Sequence, residues 1–87
     1  MGSALRIYRI YDDILGARDF AEWLELGGAA VSVMEDGNWI EVYSNASDEL
    51  VHEAMSLTSW TADHDGPIIE VQDHTGRLFG LWEAPAP

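Results

Sequence analysis

Carboxylates are the side chains of this sequence that are most able to do chemistry. The chain has 16 Asp and Glu residues but only 4 Lys and Arg residues, and its formal net charge is -12 at pH 7. The surplus is dense in the segment YDDILGARDFAEWLELGG, residues 11–28, where Arg18 is the only base. Carboxylates at this density can ligate cations, exchange protons or bind the Lys and Arg side chains of a partner.

The histidines and loop motifs do not support metal binding or catalysis. His52, His64 and His74 do not have the spacing of zinc ligands. The segment DHDG has no bidentate Glu to complete a calcium loop, and turn formation accounts for its Asp and Gly residues. The chain also has no GxSxG nucleophile motif and no glycine-rich phosphate loop. We therefore predict no metal, no cofactor and no enzymatic activity.

Composition predicts one folded domain over residues 1–87. Hydrophobic residues make up 47% of the chain and charged residues 23%, an ordinary balance for a globular domain. Residues 1–3 and the terminal APAP, residues 84–87, are expected to fray. The chain has no cysteine and no apolar run long enough to span a membrane, so we expect a cytoplasmic protein without membrane contact.

The charge excludes one class of function and leaves several explanations open. Without a basic patch to neutralise phosphates, the chain is not expected to bind nucleic acid directly. Self-repulsion at a net charge of -12 costs stability. Better solubility, a high-salt habitat or a basic binding partner would each account for retaining the acid.

The first part of the chain predicts a strand followed by a helix. β-forming residues alternate with arginine over residues 4–11, which is typical of a strand. Asp12 or Asp13 can cap a following helix, and Gly27–Gly28 can end it. The apolar residues of this helix recur at helical spacing: Ala17, Phe20, Ala21 and Leu24.

The segment VSVMEDGNWIEVY, residues 31–43, predicts a β-hairpin. Asp36 and Gly37 are expected to form its two-residue turn, because both residues tolerate the positive φ that such turns need. Pairing through this turn places alternate residues on opposite faces of the sheet. The expected core face carries Val31, Val33, Ile40 and Val42, and the opposite face carries Ser32, Met34, Trp39, Glu41 and Tyr43.

The remaining elements complete an α+β domain. Ser47 is a suitable cap for a second helix whose expected apolar stripe is Leu50, Val51, Ala54 and Leu57. The segments PIIEVQ and RLFGLWE predict two strands joined by a turn over residues 73–76. We predict the order βαββαββ, an antiparallel sheet of about five strands and two helices on one sheet face. The first five elements resemble the start of a ferredoxin-like βαββαβ fold, which implies no particular function. The expected core is Phe20, Leu24, Val31, Val33, Ile40, Val42, Leu50 and Leu57.

Two surfaces of this fold are candidates for partner binding. The first is acidic, and its expected residues are Asp12, Asp13, Asp19, Glu22, Trp23, Glu25, Glu35 and Asp36. With Asp48, Glu49 and Glu53 of the second helix it would form one acidic field. The second surface is the sheet face without helices, with Met34, Trp39, Glu41, Tyr43 and either Tyr8 or Ile10. Exposed aromatic residues mark contact surfaces, unless the C-terminal hairpin or a second copy of the chain covers them.

The spacing of the acids is compatible with mimicry of a nucleic-acid backbone. Phosphates of one DNA strand rise by ~3.4 Å each, and residues four apart on a helix rise by ~6 Å. Carboxylates so spaced can occupy the sites that a protein provides for every second phosphate. In size and charge the chain resembles the small phage anti-CRISPR proteins and, less closely, the acidic immunity proteins that neutralise nuclease toxins.

The resemblance implies an inhibitor whose partner is a basic DNA- or RNA-binding protein, either a CRISPR effector subunit or a nuclease. It implies a monomer or weak homodimer in the host bacterial cytoplasm. The alternatives are an immunity protein or antitoxin, and an acidic interaction domain of a halophile. A halophilic domain would need molar salt for stability, which the other two would not.

Overall fold

The computed structural model describes residues 5–37, 39–61, 68–73, 75 and 78–83. The predicted fraying of residues 1–3 and 84–87 lies outside these ranges. So do the DHDG segment with His64, and His74 in the predicted turn over residues 73–76.

The predicted α+β class is confirmed: in the described part of the chain, five antiparallel strands form one sheet, and two helices connect them. The elements in chain order are β1 (Arg6–Tyr11), α1 (Ile14–Leu26), β2 (Val31–Asp36), β3 (Trp39–Ser44), α2 (Asp48–Leu57), β4 (Ile68–Asp73) and β5 (Leu78–Glu83).

The strand order across the sheet is β2-β3-β1-β4-β5, which makes β1 the central strand. The helix α1 connects β1 to β2 past β3, and α2 connects β3 to β4 past β1. The two connections therefore interleave, as in a ferredoxin-like fold, and β5 extends the sheet beside β4. The edge strands of this sheet are β2 and β5.

The helix α1 forms as its sequence predicts. The side chain of Asp13 caps it by accepting a hydrogen bond from the Gly16 amide at 2.8 Å. Gly28 follows the helix with a φ of 93°, a backbone conformation that glycine adopts without strain. The predicted stripe is confirmed, since its members are all buried: Ala17, Phe20, Ala21 and Leu24.

The helix α2 begins where predicted, and the predictions for Val51 and Ala54 in its buried stripe are confirmed. Ser47 caps it by accepting a hydrogen bond from the Leu50 amide at 3.2 Å. Its buried residues are Val51, Ala54 and Met55, and Thr58 continues the same helical spacing. The prediction that Leu57 lies in the core is wrong, because this spacing leaves Leu57 at the side of the buried stripe.

The hairpin between β2 and β3 turns one residue later than predicted. Asp36 pairs with Trp39, so residues 37–38 form the connection, and Gly37 has a φ of 62°. Asn38 lies outside the described residues. The later turn shifts the pairing by two residues and keeps its parity, so Val33 lies opposite Val42 and remains on the helix side of the sheet.

The core lies between the helices and one face of the sheet. Buried residues of both helices share one cluster with residues of β1, β3 and β4. The predictions for Phe20, Leu24, Ile40 and Val42 are confirmed, whereas Val31 and Leu50 are only partly buried against this cluster. The prediction for Val33 is wrong, because β2 is an edge strand and the Val33 side chain remains partly exposed beside α1.

Candidate functional site

Two carboxylates of α1 are exposed as the helical spacing predicts. Glu22 and Glu25 line a groove of about 500 Å³ between α1 and β2. Trp23 lies on the other border of the helix, half-buried against the core and facing α2. The α1 side of the groove therefore carries more carboxylates than bases, since Arg18 is its one base among the lining residues.

Asp13 does not belong to this exposed group. It is 2% exposed, and it accepts hydrogen bonds from the Thr61 amide at 2.7 Å and from the Thr61 hydroxyl, besides capping α1. Trp60 also lies close to Gly16. The segment that follows α2 therefore covers the start of α1. The prediction that Asp13 points outward is wrong. Its neighbour Asp12 is exposed and has a φ of 58°.

Asp19 is at the surface but holds a structural contact. Its side chain accepts a hydrogen bond at 2.8 Å from the amide of Ser59, which follows α2. Asp19 therefore ties α1 to the loop after α2, and a substitution there would disturb the fold as well as the surface charge.

The three arginines in the described part of the chain are each paired with a carboxylate. Arg6 pairs with Asp48 at the start of α2, and Arg18 pairs with Glu35 of β2 at 2.6 Å. Arg9 pairs with Glu41 at 2.8 Å and lies 3.8 Å from Glu70. Within the described residues, the exposed acids without an ion pair are Asp12, Glu22, Glu25, Asp36, Glu49 and Glu53.

The open face of the sheet, which the helices do not cover, carries a closed polar cluster. Glu41 accepts two hydrogen bonds from Arg9, at 2.8 and 3.1 Å. It accepts two more from the Tyr43 hydroxyl at 2.9 Å and the Trp39 indole at 3.3 Å. The Arg9 guanidinium also lies 4.8 Å from the centre of the Trp39 ring, within cation–π range.

This cluster holds Glu41 in its ionised form. Burial raises the pKa of the Glu41 carboxyl, but the hydrogen bonds from Arg9, Tyr43 and Trp39 outweigh burial and bring the pKa below its usual value. The pKa of Tyr43 is raised, chiefly by its hydrogen bond to Glu41 and to a smaller extent by burial. Trp39, Glu41 and Tyr43 are thus brought together as predicted, but their polar groups bind one another.

The composition of the open face differs from the prediction in its β1 residues. Tyr8 and Ile10 are buried in the core on the helix side. The register instead places Ile7, Arg9 and Tyr11 on the open face, opposite Tyr43, Glu41 and Trp39. The prediction chose the wrong parity for β1, because each of its faces carries one arginine beside aromatic and aliphatic residues.

Sequence reasoning missed two exposed leucines that line depressions beside β2, Leu15 and Leu5. On the helix side, Leu15 is 69% exposed and lines the same groove as Val31, Val33 and Glu22. The only signal was that Leu15 falls on the outward side of the α1 helical wheel. On the open side, a depression of about 370 Å³ is lined by Leu5, Ala30, Val31, Ser32, Met34 and Tyr43.

The acidic residues of the two helices form separate patches. Glu22 and Glu25 lie on the β2 side of α1, whereas Glu53 borders a depression between the helices. That depression is also lined by Trp23 and Leu26 of α1. The predicted single acidic field is therefore divided by apolar side chains.

Within the described residues, no group of three His, Asp or Glu side chains is placed to hold a metal ion. Neither described helix is long and apolar enough to cross a membrane. The chain matches no protein-family model, and comparisons with curated proteins and with solved structures found no match.

Proposed function

We propose that this protein is a stoichiometric inhibitor that occupies a basic nucleic-acid-binding surface by acidic mimicry. The proposed target process is DNA binding by a CRISPR surveillance complex. One observation carries the proposal: every arginine in the described residues is paired, while Glu22 and Glu25 are exposed beside an open groove without an ion pair there. These carboxylates are available to the Lys and Arg residues of a partner.

The spacing of the exposed acids supports this proposal. Glu22 and Glu25 are one helical turn apart, and Glu49 and Glu53 are also one turn apart. The rise over three to four helical residues is ~4.5–6 Å, which lies between one and two phosphate steps of ~3.4 Å along a DNA strand. The negative field should also steer a basic partner and make its association fast and sensitive to salt.

The candidate contacts are fewer than the sequence predicts. Asp13 and Glu41 are buried and hydrogen-bonded, and the Glu35 carboxylate is paired with Arg18. The proposed contacts are therefore Glu22 and Glu25 first, with Asp12 and Asp36 at the periphery. Asp19 is unsuitable for charge reversal because it binds the Ser59 amide.

A competition experiment with matched variants tests the proposal. Labelled duplex DNA is bound to each of a panel of purified CRISPR effector complexes, and DNA release by this protein is followed by fluorescence anisotropy. The double variant Glu22→Gln/Glu25→Gln should lose binding about 30-fold or more, because desolvated charge pairs cost ~2–5 kcal/mol when truncated. The control Glu35→Gln/Glu70→Gln changes the net charge equally but removes carboxylates that lie within ion-pair distance of an arginine, so we expect a smaller loss.

The outcomes separate this function from its alternatives. Binding to a complex that still loads DNA normally would refute mimicry. Binding to a nuclease toxin, with no effect on any effector complex, would instead identify an immunity protein. A melting temperature that still climbs steeply at molar salt would favour a halophilic domain, because ordinary screening is largely complete by then.

A further inference from the structure

The geometry points to β2 as a docking strand: we propose that an extended, basic segment of the partner pairs with β2 and lengthens the sheet. The basic character of this segment rests on the function proposed above. The pairing itself rests on the exposed edge of β2 and on the two depressions beside it, one lined by carboxylates of α1 and one mainly apolar.

The first observation is that β2 has a free edge in the described part of the chain. β2 ends the sheet, and β3 is its neighbour. An edge strand presents unpaired N–H and C=O groups at every second residue, which a further strand can bind. Natural edges are commonly protected by charged residues, Pro or a β-bulge. β2 contains neither Lys nor Pro, and its pairing with β3 has no register shift. Its charged residues, Glu35 and Asp36, stand at its end, so residues 31–34 leave the edge without these devices.

The second observation is that a depression lies beside β2 on each side of the sheet. Successive side chains of a strand point to opposite faces of the sheet. A strand beside β2 would therefore direct alternate side chains into the groove beside Leu15 and Val33, and the others into the depression beside Leu5 and Met34. One extended segment can fill both, which a helix or a flat surface cannot do.

The charged residues around the edge of β2 indicate what kind of segment would bind there. The acidic residues around the edge are Glu22, Glu25, Glu35 and Asp36, and only Glu35 has an ion pair within the described residues. A second copy of this chain would bring another net charge of -12 to the edge and would be repelled. Opposite charges across neighbouring strands are favourable. The segment that fits is therefore one in which Lys or Arg accompanies apolar residues.

The test uses a short capped peptide in which Val and Lys alternate, with two control peptides. One control has proline at its centre, which removes a backbone donor, and the other has Glu in place of Lys. Binding is measured by fluorescence anisotropy, and its site by the hydrogen-exchange rates of the β2 amides. We expect the Val-Lys peptide to slow exchange in β2 and the proline peptide to bind about tenfold more weakly, as loss of backbone hydrogen bonds predicts.

Matched variants of the protein complete the test. Met34→Lys places a charge beside the edge, whereas Leu57→Lys makes the same change in charge at an exposed apolar residue of α2. Only Met34→Lys should weaken binding of the Val-Lys peptide, again by about tenfold. Both variants must first show the melting temperature and circular dichroism of the wild type. If Met34→Lys does not fold like the wild type, the experiment uses Ser32→Lys instead, because Ser32 lies on the same exposed face of β2.

Failure of this inference is distinguishable from failure of the proposed function. Equal binding of the Val-Lys and proline peptides, without slower exchange in β2, would refute docking on the edge while leaving an acidic surface that binds basic groups. Equal binding of the Val-Lys and Val-Glu peptides at β2 would support the edge site and contradict a basic partner. No binding by any peptide would overturn the docking strand, and the competition with effector complexes would still decide the function.

Discussion

β2 and β3 are adjacent strands of one hairpin, but they meet very different surroundings. Val42 of β3 is fully buried, whereas Val33, directly opposite on β2, is 37% exposed. β3 has β2 on one side and β1 on the other, while β2 ends the sheet. Burial is thus set by position in the sheet, and alternation along the strand shows only which side chains share a face.

The carboxylates of the hairpin show the same difference. Glu41 on β3 is 8% exposed and is held by Arg9, Trp39 and Tyr43. Glu35 on β2 is exposed and has one partner, Arg18. An inner strand can surround a carboxylate with side chains of its own and of a neighbouring strand, as Trp39, Tyr43 and Arg9 do here, whereas an edge strand leaves one side to solvent or to a partner.

The largest expected effect is on the stability of the fold, and it comes from comparing Val42→Asp with Val33→Asp. Val42→Asp should unfold the domain, because it places an unpaired charge in the core. Val33→Asp should cost about 1 kcal/mol, because its side chain still reaches water. Thermal melting followed by circular dichroism measures both. A melting transition for Val42→Asp close to that of the wild type would contradict the assignment of β3 to the core.

The next effect compares the neighbouring carboxylates Asp13 and Asp12. Asp13→Asn should lower the free energy of unfolding by about 2–3 kcal/mol, because an amide places a donor where the carboxylate accepts bonds from Gly16 and Thr61. Asp12→Asn should change it by no more than about 0.5 kcal/mol, since Asp12 is exposed and Asn tolerates positive φ. Urea denaturation measures the difference, and equal effects would refute the role of Asp13.

The smallest effect concerns Glu41 and depends on pH. The pKa of Glu41 is lowered in the folded protein, so its contribution is complete above the unfolded-state pKa of ~4.3 and is lost as pH falls through the folded pKa. At pH 7, Glu41→Gln should destabilise the protein by about 1–2 kcal/mol.

The control for this prediction is Glu35→Gln, whose exposed ion pair should contribute about 0–1 kcal/mol. Urea denaturation at pH 7 and at pH 3 provides the measurement. The difference between wild type and Glu41→Gln should shrink at the lower pH, and a difference that grows there would show that the cluster does not stabilise ionised Glu41.

Local elements were predictable because their signals are local. Asp13 and Ser47 cap the two helices, and Gly27–Gly28 ends the first, as side-chain chemistry within three residues requires. The stripe of α1 was also predictable from spacing alone. The stripe of α2 was predictable only in part, because Leu57 and Met55 are both apolar, and contacts with the rest of the core select Met55.

The candidate site was predictable only in part. Glu22 and Glu25 were placed correctly, because they lie opposite a clear apolar stripe. Asp13 was placed wrongly because Thr61, which covers it, is distant in sequence. The exposed Leu15 was not recognised as part of a surface, since leucine usually indicates core. Met34 was expected on the open face of the sheet, because alternation along β2 places it there.

The sequence by itself determined the charge, the α+β class, the helix caps and the alternation of each strand, because each depends on composition or on residues close together in the chain. The tertiary structure alone decided which strand is central, which carboxylates are bound and which remain exposed. It placed Arg9 beside Glu41 and Thr61 beside Asp13, and it left β2 at the edge. The physical reason is that burial and charge pairing depend on contacts between residues far apart in sequence, which the interleaved connections of the sheet bring together.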